Sequence, residues 1–341
     1  MQLPNISRWF VAVALAALAL FALSACGSHT ATPTAAPTSP TATATTPVLV
    51  TPTLTPGATF ATATPTPQSP TPTATANASG LPAFSHIYVI VMENKEYGDI
   101  VGSASAPYLN SLIAQYGVAT NYTGVIHPSE PNYFALFSGS TQDATGDGVY
   151  NLPGKNLADQ LEAKGKTWRV FAQNDPLNCF TGEIGVNGAD GVGFYARKHN
   201  PAISFTDISG APARCANITD FTHFDPAAAD YALIVPNLCN DMHDCSVATG
   251  DKFLQGFVPK ILASPAWQIG GALFITWDEG TTNLGGGGRV PLLVISSGVP
   301  KGFQSAVAHN HYSLVRTIED AWGLGCLNEA CQANNLGEFF R

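Results

Sequence analysis

Three short runs of β-branched and aromatic residues constrain this chain most: His86–Met92, Tyr231–Val235 and Ala272–Trp277. Each is apolar almost from end to end, without the alternation of a strand that has one wet face. That is the pattern of strands buried on both faces of a parallel sheet. Each run also stops at a cluster of oxygen-bearing side chains: Glu93-Asn94, Asn237 to Asp244, and Asp278-Glu279. In an open α/β sheet the carboxyl ends of the strands form one edge, and ligands bind there. Carboxylates crowded on such an edge repel one another and titrate high unless a cation neutralises them. Any one cluster reads as solvated loop or helix cap. Three at strand ends, with a serine at a helix start, point to a site.

The rest of the folded part fits the same architecture. Thr167–Phe171 and Leu292–Ile295 read as further strands. Pro107–Tyr116 places Leu109, Leu112 and Ile113 on one helical face and is stopped by Gly117. Further helices are expected at Asn132–Phe137, Asn156–Lys164, Asp251–Ala263 and Tyr312–Trp322. Strands alternating with helices predict an α/β domain with a doubly wound, mostly parallel sheet and helices on both faces. Residues 81–341 supply enough chain for one such domain. The stretch from Gln173 to Thr222 is loop-rich and is expected to be an insertion or lid.

Residues 1–80 do not read as folded. Arg8, the apolar run Trp9–Leu23 and the small residues before Cys26 have the layout of an export signal. Leu23-Ser24-Ala25-Cys26 resembles the bacterial lipobox, which implies cleavage before Cys26 and lipidation of its sulfur. A lipidated Cys26 would anchor the protein to a membrane outside the cytoplasm. Residues 27–80 are almost wholly Thr, Pro, Ala and Ser, a composition that cannot bury enough apolar surface to offset its ordering entropy. They are expected to form an extended linker.

The remaining cysteines are Cys179, Cys215, Cys239, Cys245, Cys326 and Cys331, an even number that suggests disulfides in an exported domain. The close pairs Cys239/Cys245 and Cys326/Cys331 invite local bridges and would leave Cys179 with Cys215, although spacing alone leaves the connectivity open. No Cys-x-x-Cys spacing supports a zinc site. Charged residues make up only 11% of the chain and its formal net charge is −9, so there is no basic patch for nucleic acid. Nothing in the sequence points to a protein partner.

Ser129 lies in His127-Pro128-Ser129-Glu130-Pro131-Asn132-Tyr133, just ahead of an expected helix. Unpaired N–H groups and the positive dipole end at that position suit a phosphate oxygen, and the same field favours an alkoxide. The plain alternative is a helix cap. Glu, Asn and Asp are hard oxygen donors suited to Mg²⁺, Mn²⁺ or Ca²⁺, whereas Zn²⁺ would call for more histidine. His199, His243 and His311 sit in polar, turn-rich contexts that fit either hydrogen-bonded or site histidines. The glycine run Gly285–Gly288 lacks the Gly-Lys-Ser/Thr of a P-loop. Residues 142–148 lack the spacing of an EF-hand. Both are expected to be flexible loops.

Val91-Met92-Glu93-Asn94, the Ser129 heptapeptide and Trp277-Asp278-Glu279-Gly280, in that order, resemble the bacterial phosphoesterase family of acid phosphatases and phospholipases C, within the alkaline phosphatase superfamily. Asp241-Met242-His243-Asp244-Cys245 and Tyr195-Ala196-Arg197-Lys198-His199-Asn200-Pro201 look most like secreted actinobacterial acid phosphatases. The resemblance implies an alkaline-phosphatase-like fold and one divalent metal ion (Mg, Mn, Ca or Zn). It implies Glu93, Asn94, Ser129, Asp278 and Glu279 as ligands and Ser129 as nucleophile. His243 or His199 would serve the leaving group, and Lys198, Asn132 and His311 would serve phosphate binding. In Asn310-His311-Tyr312-Ser313, Asn310 replaces the acid of the family's Asp-His-Thr-Ser stretch. The implied activity is hydrolysis of phosphomonoesters through a phosphoserine. Phospholipase C-type diester cleavage and a non-catalytic surface-binding lipoprotein are the alternatives.

Overall fold

The computed structural model of the protein describes residues 80–187 and 194–341. The expected signal, the lipidation site Cys26 and nearly all of the Thr/Pro-rich linker lie outside the described residues. No helix among the described residues is long and apolar enough to cross a membrane.

An eight-stranded sheet organises the domain. In spatial order its strands are Phe303–Ser305, Gly117–Ala119, Leu292–Ile295, Ala272–Trp277, Ile87–Met92, Tyr231–Val235, Trp168–Ala172 and Ile218–Thr219. Leu292–Ile295 runs against both of its neighbours, and every other pairing is parallel. The three apolar runs occupy the centre, and each is buried along its whole length. The register pairs Met92 with Trp277. Glu93 and Asp278 therefore leave adjacent strands at the same level and on the same edge. Tyr231–Val235 pairs with the other side of Ile87–Met92, so its polar continuation arrives beside Glu93. The backbone N–H of Glu93 donates to Asp241 O at 2.8 Å.

Helices flank the sheet. Pro107–Gln115 buries Leu109, Leu112 and Ile113, and its first-turn N–H groups at Tyr108 and Leu109 donate to the Asp251 carboxylate (3.0 and 2.8 Å). Asp251 lies inside Val247–Leu262, a helix that begins four residues before the expected start because Ser246 caps it through Thr249 N–H. Gly250 lets this helix pack closely: a Cβ on it would stand 2.4 Å from Met242 Cγ. Met242, with φ +84°, separates Asp241 from His243, so this helix braces the loop that carries both.

The segment 173–222 is more than a loop. It contains the hairpin strands Ile184–Asn187 and Phe194–Ala196, the buried turn Arg197–His199, two short helices and an edge strand of the main sheet. Its ends are joined through Cys179–Cys215, and Cys239–Cys245 and Cys326–Cys331 form the other two bridges. The glycine run is packed against a neighbouring strand end. A Cβ on Gly287 would stand 2.8 Å from Gly124 C and from Ile126 O, and Gly287 O accepts from Gly280 N–H at 2.7 Å. The expectation of a flexible loop there is corrected by this close backbone packing.

Candidate active site

Ser129 is the first residue of the helix Ser129–Ser138 rather than the residue ahead of it. Every residue of that helix is buried, and Gly139 ends it in the left-handed conformation. The side chain of Ser129 caps nothing. Its Oγ lies 3.2 Å from Glu93 Oε2 and 3.2 Å from Glu279 Oε1. One turn later Tyr133 donates from its hydroxyl to Glu93 Oε1 at 2.5 Å. The expected ligand residues Glu93, Asn94, Ser129, Asp278 and Glu279 thus meet at the ends of two adjacent strands and one helix start.

The electrostatics of this cluster are unfavourable for bare anions. Glu93, Asp241 and Asp278 are wholly buried. Burial, then the charges of Asp278 and Asp241, pushes Glu93 well above the ordinary carboxylate range. Asp278 is pushed up to about 8 by burial and then by Glu279. Asp241 is pushed up to about 8, chiefly by burial. The Asn94 side-chain oxygen lies 2.9 Å from Glu93 Oε2 and 3.1 Å from Asp278 Oδ1. Either the amide turns over and donates to both carboxylates, or these oxygens share a cation. With Ser129 Oγ they make an all-oxygen set spaced as the ligands of a small octahedral cation are, ~3 Å apart for bonds of ~2.1 Å. The set contains only two carboxylates; no group of three or more His, Cys, Asp or Glu poised to hold an ion occurs among the described residues.

Histidines surround the cluster in different states. His127 Nδ1 lies 2.5 Å from Glu279 Oε2, and its Nε2 donates to Thr282 O (2.8 Å). His199 is buried, stacks on Tyr133 with centroids 5.1 Å apart, and places Nε2 3.2 Å from Glu93 Oε1 and Nδ1 3.4 Å from Asp241 Oδ2. These approaches are not aligned as hydrogen bonds: His199 Nε2 and Asp241 Oδ2 are left without partners. Burial, then Lys198 and His243, holds His199 well below the usual histidine range. His243 is half-buried, with Nδ1 2.6 Å from Asp244 Oδ1.

Lys198 and His243 line one cavity of about 340 Å³ together with Asp147, Gly148, Glu183, Ala196, Arg197 and Leu238. Burial pulls the Lys198 ammonium down, but the hydrogen bond and charge of Asp147 outweigh it and leave Lys198 raised.

Two residues expected at phosphate are committed elsewhere. Asn132 accepts from the N–H groups of Val125 and Ile126 (2.9 and 3.3 Å) and donates to the carbonyls of Ile126 and Pro128 (2.8 and 3.3 Å). It clamps the loop that delivers Ser129. His311 is buried between the Tyr122 hydroxyl (3.0 Å from Nδ1) and Asp278 O (2.5 Å from Nε2). The carbonyl accepts, so Nε2 carries the proton and Nδ1 accepts from Tyr122. Burial pushes His311 down to about 4. It fixes the backbone of Asp278 from behind.

Sequence reasoning missed Tyr133, Glu130, Arg197 and Asp147. Tyr133 was legible in principle, since i+4 spacing on a helix returns it to the face of Ser129. Asp147 had no such signal, because only tertiary folding brings its loop to the helix start.

The sequence model of the Phosphoesterase family matches residues 103–325. A probable acid phosphatase of Kluyveromyces lactis is 30% identical over 253 residues, covering 71% of this chain and 59% of that protein. A phosphatidylinositol-3-phosphatase of Mycobacterium tuberculosis is 32% identical over 251 residues, covering 72% of this chain and 80% of that protein. This chain therefore spans about three-fifths of the yeast relative's length and four-fifths of the mycobacterial one's. Among solved structures, the lipoteichoic acid synthase LtaP of Listeria monocytogenes superposes with a TM-score of 0.50 at 10% identity, covering 76% of this chain and 80% of that one, a likeness of fold alone.

Proposed function

The chain belongs to the phosphoesterase family, and from that premise we propose that it is a metal-dependent phosphatase of the acid phosphatase type, cleaving phosphomonoesters through a phosphoserine at Ser129. The observation that carries the reading is the place of Ser129 Oγ. It opens a fully buried helix and lies 3.2 Å from Glu93 Oε2 and from Glu279 Oε1. A serine held only to cap a helix would turn its oxygen to the backbone instead.

Glu279, whose second oxygen is fixed by His127, is placed to take the hydroxyl proton. Ser129 Oγ then attacks phosphorus, and the bond to the alcohol oxygen breaks in line. His243, in the cavity, is placed to protonate the departing alcohol. Water, giving a proton to the deprotonated His243, subsequently attacks the phosphoserine; the Ser129 Oγ–P bond breaks, Glu279 returns its proton to Oγ, and phosphate leaves. Lys198 favours the charge that spreads over the equatorial oxygens. The oxygens of Glu93, Asn94, Asp278 and Ser129 fit a hard divalent cation: they would hold it, and it would neutralise their charge, lower the pKa of the serine hydroxyl and polarise the phosphate, while Glu279 stays with His127 as the base.

The monoester reading rests on likeness: a probable acid phosphatase and a phosphatidylinositol-3-phosphatase are among the relatives. The test is a pair of initial-rate measurements with added divalent metal, on an aryl phosphate and on the matching bis-aryl diester. The expected result is turnover of the monoester at least a hundredfold faster, on the order of a lost anchoring contact to the phosphate dianion. Equal or faster diester cleavage would assign the site to diester chemistry, and no turnover of either would leave a binding protein.

A further inference from the structure

We propose that Asp147 is a positioning residue that holds Lys198 toward the Ser129 site; the proposal rests on the phosphatase reading above. Asp147 lies in the loop 142–148, whose sequence suggests only flexibility. Its two carboxylate oxygens have separate duties. Oδ1 accepts from the backbone N–H of Glu130 at 3.0 Å, and Oδ2 accepts from Lys198 Nζ at 2.9 Å. One side chain thus ties the first turn of the nucleophile's helix to the turn that carries Lys198 and His199.

The tie is anchored in the interior. Gly148 N–H donates to Glu130 Oε2 at 2.7 Å, and Arg197 donates to Gly148 O at 3.3 Å and to Tyr150 O at 2.8 Å. Glu130 and Arg197 face each other at 3.4 Å with side-chain exposures of 0% and 2%. Beneath Asp147, then, lies a buried clamp that sets the spacing between the Ser129 helix and the Arg197–His199 turn. Asp147 is its surface end and lines the same cavity as Lys198.

The Asp147–Lys198 pair itself has side-chain exposures of 33% and 26%. A pair that wet adds little to stability. Orientation is a different matter. A lysine ammonium is a point charge on a four-carbon stem, and an untethered one spreads over many rotamers. Its three N–H donors allow one to remain on Asp147 while the others meet an incoming phosphate. Asp147 touches no reacting atom and acts through Lys198.

A double-mutant cycle on an aryl phosphate, at saturating divalent metal, tests this. The variants are Asp147→Asn, Lys198→Met and the two combined, each checked for folding by thermal melting. Asparagine keeps an acceptor for Glu130 N–H but turns an amide donor toward Lys198, so it removes both the charge and the acceptor that hold the ammonium. Asp147→Asn is expected to lower kcat/KM roughly tenfold, the scale of one charge-assisted hydrogen bond. In the Lys198→Met background the same change should cost nothing further. Asp147→Glu should recover part of the loss. Additive losses would show that Asp147 acts independently of Lys198 and overturn the proposal. So would an unchanged kcat/KM in Asp147→Asn. A raised kcat/KM would mean that Asp147 competes with phosphate for the ammonium, which also overturns it. If Lys198→Met turns over at the wild-type rate, the proposal falls with the role of Lys198, while loss of turnover in Ser129→Ala would still separately support the phosphatase reading.

Discussion

Ser129→Ala is expected to lose phosphate-ester hydrolysis by several orders of magnitude while melting close to the wild type, because a covalent route depends on its nucleophile. The two effects separate cleanly at this position. Ser129 is the first residue of its helix and its side chain makes no cap, so the backbone loses nothing. What the fold loses is a hydroxyl between two carboxylates, a cost of about 1 kcal/mol by the usual worth of a hydrogen bond. Added metal should not rescue the variant. Measurement of kcat on an aryl phosphate at saturating metal, beside a thermal melt, checks it. A variant with near-normal kcat would reduce Ser129 to a structural residue.

Asp278→Asn is the second large effect, and it should appear in stability as well as activity. Asp278 is buried beside Glu93, and its pKa stands at about 8 against an ordinary 3.8. The sign follows from proton counting. Between those values the folded protein without cation holds a proton that the unfolded chain has released. Its stability therefore falls as pH rises through that window. A bound cation removes this dependence and adds stability by mass action. In chelator, the melting temperature of the wild type should decline from about pH 4 to about pH 8 as the Asp278 carboxyl loses its proton in the fold. Divalent metal should restore it and restore turnover. Asp278→Asn should show a shallower decline in chelator, a much smaller metal-induced shift, and little activity except at high metal concentration. Melting that is indifferent to metal in the wild type, with full activity in chelator, would remove the cation from the account.

The central strands were legible because they are buried on both faces. Ile87–Met92, Tyr231–Val235 and Ala272–Trp277 carry apolar residues at every position but Thr276, and no helix period competes. Gly117–Ala119 and Phe303–Ser305 were not legible. Each is three residues long and becomes a strand through tertiary pairing: Gly117–Ala119 lies between Leu292–Ile295 and Phe303–Ser305. The acidic half of the site followed from the rule about strand ends, and the pairing of Met92 with Trp277 turns that rule into a juxtaposition of Glu93 and Asp278. The run after Ser129 reads as a helix by its own residues, and the serine opens it. Resemblance implied phosphate roles for Asn132 and His311 and carried no sign that their polar atoms meet neighbouring backbone and a tyrosine. Hydrogen bonds to carbonyls leave no trace in composition or spacing. Asp147 was hidden for the opposite reason. Its loop reads as polar and mobile, and only the buried Glu130–Arg197 pair, drawn from segments far apart in sequence, makes it fixed.

The most direct test is to catch the phosphoserine. Wild-type protein with divalent metal would be mixed with a radiolabelled aryl phosphate, quenched in acid within one turnover, digested and mapped by mass. Acid preserves a phosphoserine ester and hydrolyses a phosphohistidine. The account predicts label on the peptide containing Ser129, released aryl alcohol in a burst equal to the labelled enzyme, and no label in Ser129→Ala. Steady turnover with no label at Ser129 and no burst, or label on another residue, would contradict it.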